Sequence, residues 1–233
     1  GSGAQVMVAP CVNEGFENGN ITNWDLKGGL NSTTPGGSCT YTTTPTNLSF
    51  PSAVASVVTL PFPDAVISQT IPLSPFTGNK AIKLNDNTPN NSVTRVSQTI
   101  AVTSANFLYE IAYIAVMASQ HSCCEQTYME VVMRSINNPT AILTCPQFTF
   151  APPNGTLTCA SPGIAWSPTI NAGGFSFLYS SIANNSYTPA WQKYSIDLTQ
   201  YIGTSIIVEV TLADCIYGGH WGYAYFDSNC NQL

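Results

Sequence analysis

The sequence of 233 residues has few charged side chains. Lysine and arginine together number 6, aspartate and glutamate number 12, and charged residues make up 8% of the chain. Soluble domains usually contain about 25%. Because nucleic-acid binding requires clustered cationic side chains, this shortage argues against a nucleic-acid partner. The chain also lacks an apolar run of about 18 residues, which argues against insertion into a membrane.

Helical periodicity is missing as well, since no segment keeps it for more than about two turns. Short runs rich in β-branched and aromatic residues, separated by turns, instead predict strands at 54–60, 81–84, 93–102, 107–117, 127–133, 192–198 and 206–212. In the third run, Thr94, Val96, Gln98 and Ile100 are expected to share the buried face. Many short strands without helices predict an all-β sandwich or barrel.

The hydrophobic content of 44% is sufficient for a sizeable core. The length is compatible with one large sandwich, and no internal repeat or shift in composition marks a second unit. Residues 32–45 are predicted to form a long surface loop. We interpret residues 1–3, Gly-Ser-Gly, as an expression scar and residues 4–233 as a single domain from which a signal peptide has been removed.

The number of cysteines is even and their spacing does not match a zinc motif. Disulfides are therefore favoured over buried thiols, which predicts an oxidising compartment. Because Cys123 and Cys124 are adjacent, a free thiol remains an open alternative for at least one cysteine. Cys145 and Cys159 enclose a turn-rich segment and are the best single candidate pair. The cysteines are Cys11, Cys39, Cys123, Cys124, Cys145, Cys159, Cys215 and Cys230.

Two motifs near the ends of the chain carry isolated carboxylates. Gly15-Phe16-Glu17 precedes Trp24, and Tyr225-Phe226-Asp227 ends a predicted strand. A buried carboxylate needs a partner or a cation, and the chain has too few cations to pair every carboxylate. Glu17 and Asp227 are therefore natural ligands for calcium, which prefers oxygen donors. The alternative is a solvated Glu17 and an Asp227 that caps a turn.

Both motifs resemble those of jelly-roll carbohydrate-binding modules and related galactose-binding-like domains. In those families the first and last strands lie together and share a structural calcium. The resemblance implies that the Gly15 carbonyl, Glu17 and Asp227 are metal ligands. It also suggests the backbone carbonyls of Asn79 and Lys80 as further metal ligands. The fold implied is a disulfide-stapled jelly-roll β-sandwich.

A second resemblance extends over most of the chain. Several segments, in the same order, are similar to those of a secreted surface module of Bacteroidetes found in gliding-motility adhesins and in proteins that handle polysaccharide. The matching segments include 80–85, 97–102, 107–113, 125–131, 196–203 and 213–227, which ends in Gly-Gly-His-Trp-Gly-Tyr-Ala-Tyr-Phe-Asp.

Catalytic arrangements have little support in the sequence. A serine, His220 and Asp214 or Asp227 could form a hydrolase triad, but no Gly-x-Ser-x-Gly elbow is present. A metal site of His121, His220 and Glu125 lacks the HExxH spacing. Hydrogen bonding of polar loop residues to the backbone explains these residues more simply. We therefore expect a protein that is not an enzyme.

Sugar-binding sites combine an exposed aromatic ring with polar side chains around it. Trp24 and Trp191 are expected in the core. Trp221 lies among glycines that allow the backbone to turn sharply, so we expect its ring to be displayed. The predicted ligand-binding residues are Trp221, His220, His121, Glu125 and Gln126.

The sequence thus predicts a secreted, cell-surface adhesion or carbohydrate-binding module with a structural calcium. Its expected partners are a glycan or cell-surface polysaccharide and the neighbouring domains of a larger bacterial protein. Two alternatives remain open: a structural spacer without a ligand, and an accessory domain of a polysaccharide-degrading enzyme.

Overall fold

The computed structural model describes residues 11–31, 45–118, 126–150, 166–181 and 187–231. These residues form antiparallel strands and one short 3-10 helix, Thr199–Tyr201. In the described part of the chain, no helix is long and apolar enough to span a membrane. The strands are β1 (Asp25–Leu30), β2 (Thr46–Asn47), β3 (Ala55–Thr59), β4 (Phe62–Asp64), β5 (Gln69–Ile71), β6 (Lys80–Leu84), β7 (Ser92–Ala101), β8 (Leu108–Ala118), β9 (Tyr128–Ser135), β10 (Asn138–Phe150), β11 (Ile170–Ala172), β12 (Phe175–Tyr179), β13 (Gln192–Asp197), β14 (Ser205–Ala213) and β15 (Gly222–Asn231).

Two large sheets pack face to face. Sheet 1 has the order β10-β9-β14-β7-β1-β2, and sheet 2 has the order β11-β12-β8-β15-β6-β3, with β13 also paired to β8. The seven predicted strands are all present, and each end lies within two residues of its predicted position. The arrangement confirms the predicted all-β, jelly-roll β-sandwich. The predicted surface loop at 32–45 lies, apart from residue 45, outside the described residues.

The core fills the space between the sheets. In β7, Thr94, Val96, Gln98 and Ile100 are all buried, as the alternation predicts, while the residues between them from Arg95 to Thr99 are half-buried. Their partners across the sheet in β14, from Ile206 to Leu212, are buried as well. From sheet 2, Phe226 and Tyr113 lie opposite each other and join the same core.

The outer face of sheet 2 is covered too. A hairpin of β4 and β5, residues 62–71, lies on this face, and we call it the strap. The strap buries Ile67 and Ile71 in the main hydrophobic cluster. β8 in the same sheet is buried on both faces over nearly its whole length.

One disulfide, Cys11–Cys230, joins the two ends of the described chain and confirms that the fold is disulfide-stapled. Cys215 is a buried free thiol. The predicted pair Cys145–Cys159 cannot be placed, because Cys159 and the side chain of Cys145 lie outside the described residues, as do Cys39, Cys123 and Cys124.

Candidate functional site

The structure brings the three predicted metal-binding residues together. Phe16 is fully buried and stacks on Trp24 at 4.9 Å, with the ring of Phe226 at 6.3 Å, so the N-terminal loop is anchored beside β15. A Cβ atom on Gly15 would lie 3.1 Å from Oδ1 of Asp227 and 3.9 Å from Cγ of Glu17. The packing of Phe16 thus places Gly15 and Glu17 beside Asp227.

Glu17 is held by the backbone that leads into β6. Its two carboxylate oxygens accept hydrogen bonds from the backbone N–H groups of Asn79 (3.1 Å) and Lys80 (2.9 Å). Gly78 has a φ of 113°, and a Cβ atom there would overlap the Glu17 carboxylate. Asn79 and Lys80 therefore contact Glu17 through their backbone N–H groups. The Asn79 carbonyl accepts from the backbone N–H of Leu60.

Asp227 is 1% exposed. Burial raises its pKa to about 7, hydrogen bonds from Ser74 and from the backbone N–H of Ser228 oppose this rise, and the nearby charges of Glu17 and Glu14 add to it. Burial likewise raises the pKa of Glu14. Acidic groups converge here without enough compensating donors to keep Asp227 at its ordinary pKa.

The donor chemistry of this cluster fits a hard cation. Glu17 and Asp227 supply carboxylate oxygens, and a carboxylate has lone pairs left after two hydrogen bonds. Among the residues that the structure describes, no three His, Cys, Asp or Glu side chains are grouped to hold a metal. A cation here would therefore need backbone oxygens in addition, and Gly15 is the nearest predicted source.

Trp221 is not displayed, and this prediction is wrong. The side chain is 2% exposed and packs against Phe177 at 5.1 Å, Phe175 at 5.9 Å and Tyr223 at 5.9 Å. The glycine next to it serves close packing, since a Cβ atom on Gly222 would lie 3.1 Å from Cβ of Thr127. Trp221 precedes β15 on the same face as Tyr223 and Tyr225, and that face is covered.

The polar residues of the predicted ligand-binding site also differ from expectation. Gln126 is 1% exposed, which contradicts its expected place on the surface. His220 is half-buried, its backbone N–H donates to Sγ of Cys215 at 3.2 Å, and its Nδ1 lies 3.7 Å from the same sulfur. His121 and Glu125 lie outside the described residues.

Asp214, considered as a triad member, occupies a structural network. Its carboxylate accepts from Nδ2 of Asn85 (2.9 Å), the backbone N–H of Gly222 (2.9 Å) and Oγ of Ser92 (2.8 Å). Burial raises its pKa to about 8, and the hydrogen bonds from Gly222 and Ser92 oppose this rise. Asp214 thereby ties both sheets together, and the His220 ring contacts a thiol.

The outer face of sheet 2 carries a ladder of aromatic rings. Tyr223 and Tyr225 follow Trp221 at alternate positions, and Phe175 and Phe177 stand beside it on β12. The ammonium group of Lys83 lies 4.2 Å from the centre of the Tyr223 ring. Burial lowers the pKa of Lys83, with the charges of Asp64 and Asp86 opposing the change.

Between this ladder and the strap lies an open cavity of 410 Å³, which we call the groove. Phe175, Phe177 and Trp221 line it from the sheet side. Ala65 and Val66 line it from the strap, and Asn87 adds an amide. The described lining residues are uncharged and mostly apolar, with one polar side chain among them.

Sequence reasoning missed most of the groove. Alternating apolar residues in Phe175-Ser-Phe-Leu-Tyr179 are a usable strand signal that would have placed Phe175 and Phe177 on one face. The strap has no comparable signal, because prolines interrupt residues 61–75 and its strands are three residues each.

Comparisons with known proteins give no family. No family model matches the chain, and no curated protein matches it. Similar solved structures include the carbohydrate-binding module TmCBM61 in complex with β-1,4-galactotriose (11% identity, TM-score 0.41, 95% of this chain and 97% of that one). They also include the CBM27-1 module of Caldicellulosiruptor saccharolyticus in complex with mannohexaose (11%, 0.38, 95% and 95%). A third is the K1 cleaved adhesin domain of Lys-gingipain from Porphyromonas gingivalis W83 (11%, 0.39, 94% and 96%). At these identities and TM-scores, the likenesses assign no ligand to this chain.

Proposed function

We propose that this protein is a non-catalytic carbohydrate-binding module of a secreted bacterial surface protein, and that the groove is its binding site. The observation that carries the proposal is the groove itself, which is lined by the rings of Phe175, Phe177 and Trp221 and by the side chain of Asn87. Apolar rings with a few placed polar groups are the usual composition of small-ligand sites.

Neutral sugars suit this chemistry. A pyranose presents C–H faces that an aromatic ring can cover and hydroxyls that an amide can bind. Charged groups make up only 8% of the chain, so binding cannot rely on many ion pairs. The affinity must then come from ring contacts and hydrogen bonds, and aromatic anchors usually carry a large share of such energy.

The disulfide supports an extracellular location, since disulfides persist in oxidising compartments. We further propose that calcium binds at Gly15, Glu17 and Asp227. When bound, the ion would neutralise the acidic cluster, and Glu17 and Asp227 would hold it between the N-terminal loop and β15. This role is structural, because the cluster belongs to different residues from those of the groove.

The test of the glycan site uses Phe175, which is half-buried and lines the groove. A glycan array, followed by calorimetric titration with neutral β-1,4-linked hexasaccharides of glucose, mannose and galactose, should identify a ligand. Phe175→Ala should weaken its affinity by about tenfold or more, because an aromatic contact is lost.

Phe107→Ala is the matched control. Phe107 is also half-buried, and it lies just before β8. The groove is beside the opposite end of this 11-residue strand, where Ala118 pairs with Phe177. This variant should leave affinity unchanged. If the wild type binds nothing on the array with calcium present, the protein is better explained as a structural spacer.

A further inference from the structure

The two walls of the groove have different origins. One wall consists of rings that belong to sheet 2, whose register is fixed by backbone pairing over many residues. The other wall consists of Ala65 and Val66, which lie in the turn of the strap. Among the described residues, the strap forms strand pairs only within itself, through three residue pairs, so its position over the sheet depends on side chains.

Asp64 supplies the polar attachment. Its Oδ2 accepts hydrogen bonds from the hydroxyl groups of Tyr223 (2.7 Å) and Tyr225 (2.9 Å). Its Oδ1 accepts from the backbone N–H of Val66 at 2.8 Å. One carboxylate therefore connects the ring ladder of the sheet directly to a residue that lines the groove.

The environment strengthens this attachment. Asp64 is 3% exposed, and both tyrosines are fully buried, so water competes little for these hydrogen bonds. Burial and the adjacent Asp64 carboxylate raise the pKa of both tyrosines, which keeps their hydroxyls protonated as donors. Phe62 adds a ring contact to Tyr225 at 5.8 Å, and Lys83 supplies a positive charge nearby.

Apolar contacts hold other parts of the strap. Ile71 is fully buried and Ile67 is 5% exposed, and both belong to the main core cluster. These contacts keep the strap on the sheet but do not have the directionality of hydrogen bonds. The orientation of Ala65 and Val66 therefore depends on the carboxylate that precedes them.

We propose that Asp64 is the positioning residue of the groove, whose hydrogen bonds to Tyr223 and Tyr225 hold the strap wall at the distance that a neutral oligosaccharide requires. The proposal rests on the proposed function for its ligand. Asp64 does not need to contact the sugar, because it acts through Val66.

The first arm of the test measures the strap without a ligand. Asp64→Asn keeps the size of the side chain but replaces the oxygen acceptors by one oxygen and one donor. Amide hydrogen exchange of Val66 should rise by about tenfold or more, since the variant weakens hydrogen bonds to a charged acceptor. The double variant Tyr223→Phe, Tyr225→Phe should give the same rise from the sheet side. Exchange at Val96 and Val210 in sheet 1 should stay unchanged and shows that the fold is intact.

The second arm measures affinity for the three neutral hexasaccharides by calorimetry. Asp64→Asn and the tyrosine double variant should each weaken binding about tenfold, and the triple variant should be no weaker than either, because all three residues form one unit. Phe175→Ala serves as the reference for loss of a direct contact.

The proposal would be overturned if the amide exchange rate of Val66 were unchanged in both variants. It would also be overturned if the exchange rate rose while the affinity for the hexasaccharides stayed at the wild-type value. A wild type that binds none of the hexasaccharides overturns the proposed function. The exchange arm then decides separately whether Asp64 holds the strap wall.

Discussion

Several carboxylates of the described residues are stabilised by neutral donors, whereas Glu110 and Glu209 form ion pairs. Glu17 is bound by two backbone N–H groups, Asp64 by two tyrosine hydroxyls and Asp214 by an amide, a hydroxyl and an N–H group. The small number of cations in the sequence correctly indicates that many carboxylates lack ion pairs. It does not reveal these neutral donors, because they reach the carboxylates only when the strands are assembled. Asp227 is different, because its pKa stays raised to about 7 despite its hydrogen bonds.

This difference leads to the calcium prediction. Calcium at millimolar concentration should raise the melting temperature of the wild type, and a chelator should reverse the rise, because an ion bound only by the folded state stabilises it by mass action. At a hundredfold excess over the dissociation constant the gain is about 2.7 kcal/mol. Glu17→Gln should abolish most of the response in differential scanning calorimetry.

Asp25→Asn is the control, since Asp25 is an exposed carboxylate at the start of β1. It should respond to calcium like the wild type. An identical response of Glu17→Gln and the wild type would rule out the proposed ligand set.

At the scale of elements, the strands that were predicted are those whose alternation or β-branched content is continuous. β7 and β14 pair over nine residues with a regular register, and such strands are visible in the sequence. The strap and β12 were missed because their strands are only three to five residues long, and prolines interrupt the strap. The wrong prediction for Trp221 has the same cause. Its glycine neighbours suggested an exposed ring because the rings of β12 that cover it had not been predicted.

The burial of Trp221 gives a prediction about stability. Trp221→Ala should lower the free energy of unfolding by about 3–5 kcal/mol, the range for removing a large buried aromatic side chain. Urea unfolding followed by far-UV circular dichroism measures this change. Tyr217→Ala, at a side chain that is 53% exposed, should change stability by less than about 0.5 kcal/mol. If the two variants were equally stable, Trp221 would not belong to the core.

At the scale of the whole molecule, the two ends of the described part of the chain meet at one place. Cys11 and Cys230 form a disulfide across 219 residues, and Oγ of Ser228 donates to the carbonyl of Glu14 at 2.8 Å. The acidic cluster of Glu14, Glu17 and Asp227 lies within this junction. The end motifs predicted that the first and last parts of the chain meet, whereas the disulfide pairing could not be chosen among the combinations of eight cysteines.

The last prediction follows from this junction. Closing so long a loop lowers the entropy of the unfolded chain, and loss of a native disulfide usually costs about 2–5 kcal/mol. The double variant Cys11→Ala, Cys230→Ala should therefore unfold at lower urea concentration than the oxidised wild type. It should also need more calcium to reach half of its thermal shift, because Gly15 and Glu17 are no longer tethered covalently to β15. Mild reduction of the wild type should shift the unfolding midpoint and the calcium requirement in the same directions. Equal stability together with equal calcium dependence would show that Phe16 and its ring contacts hold the junction without the disulfide.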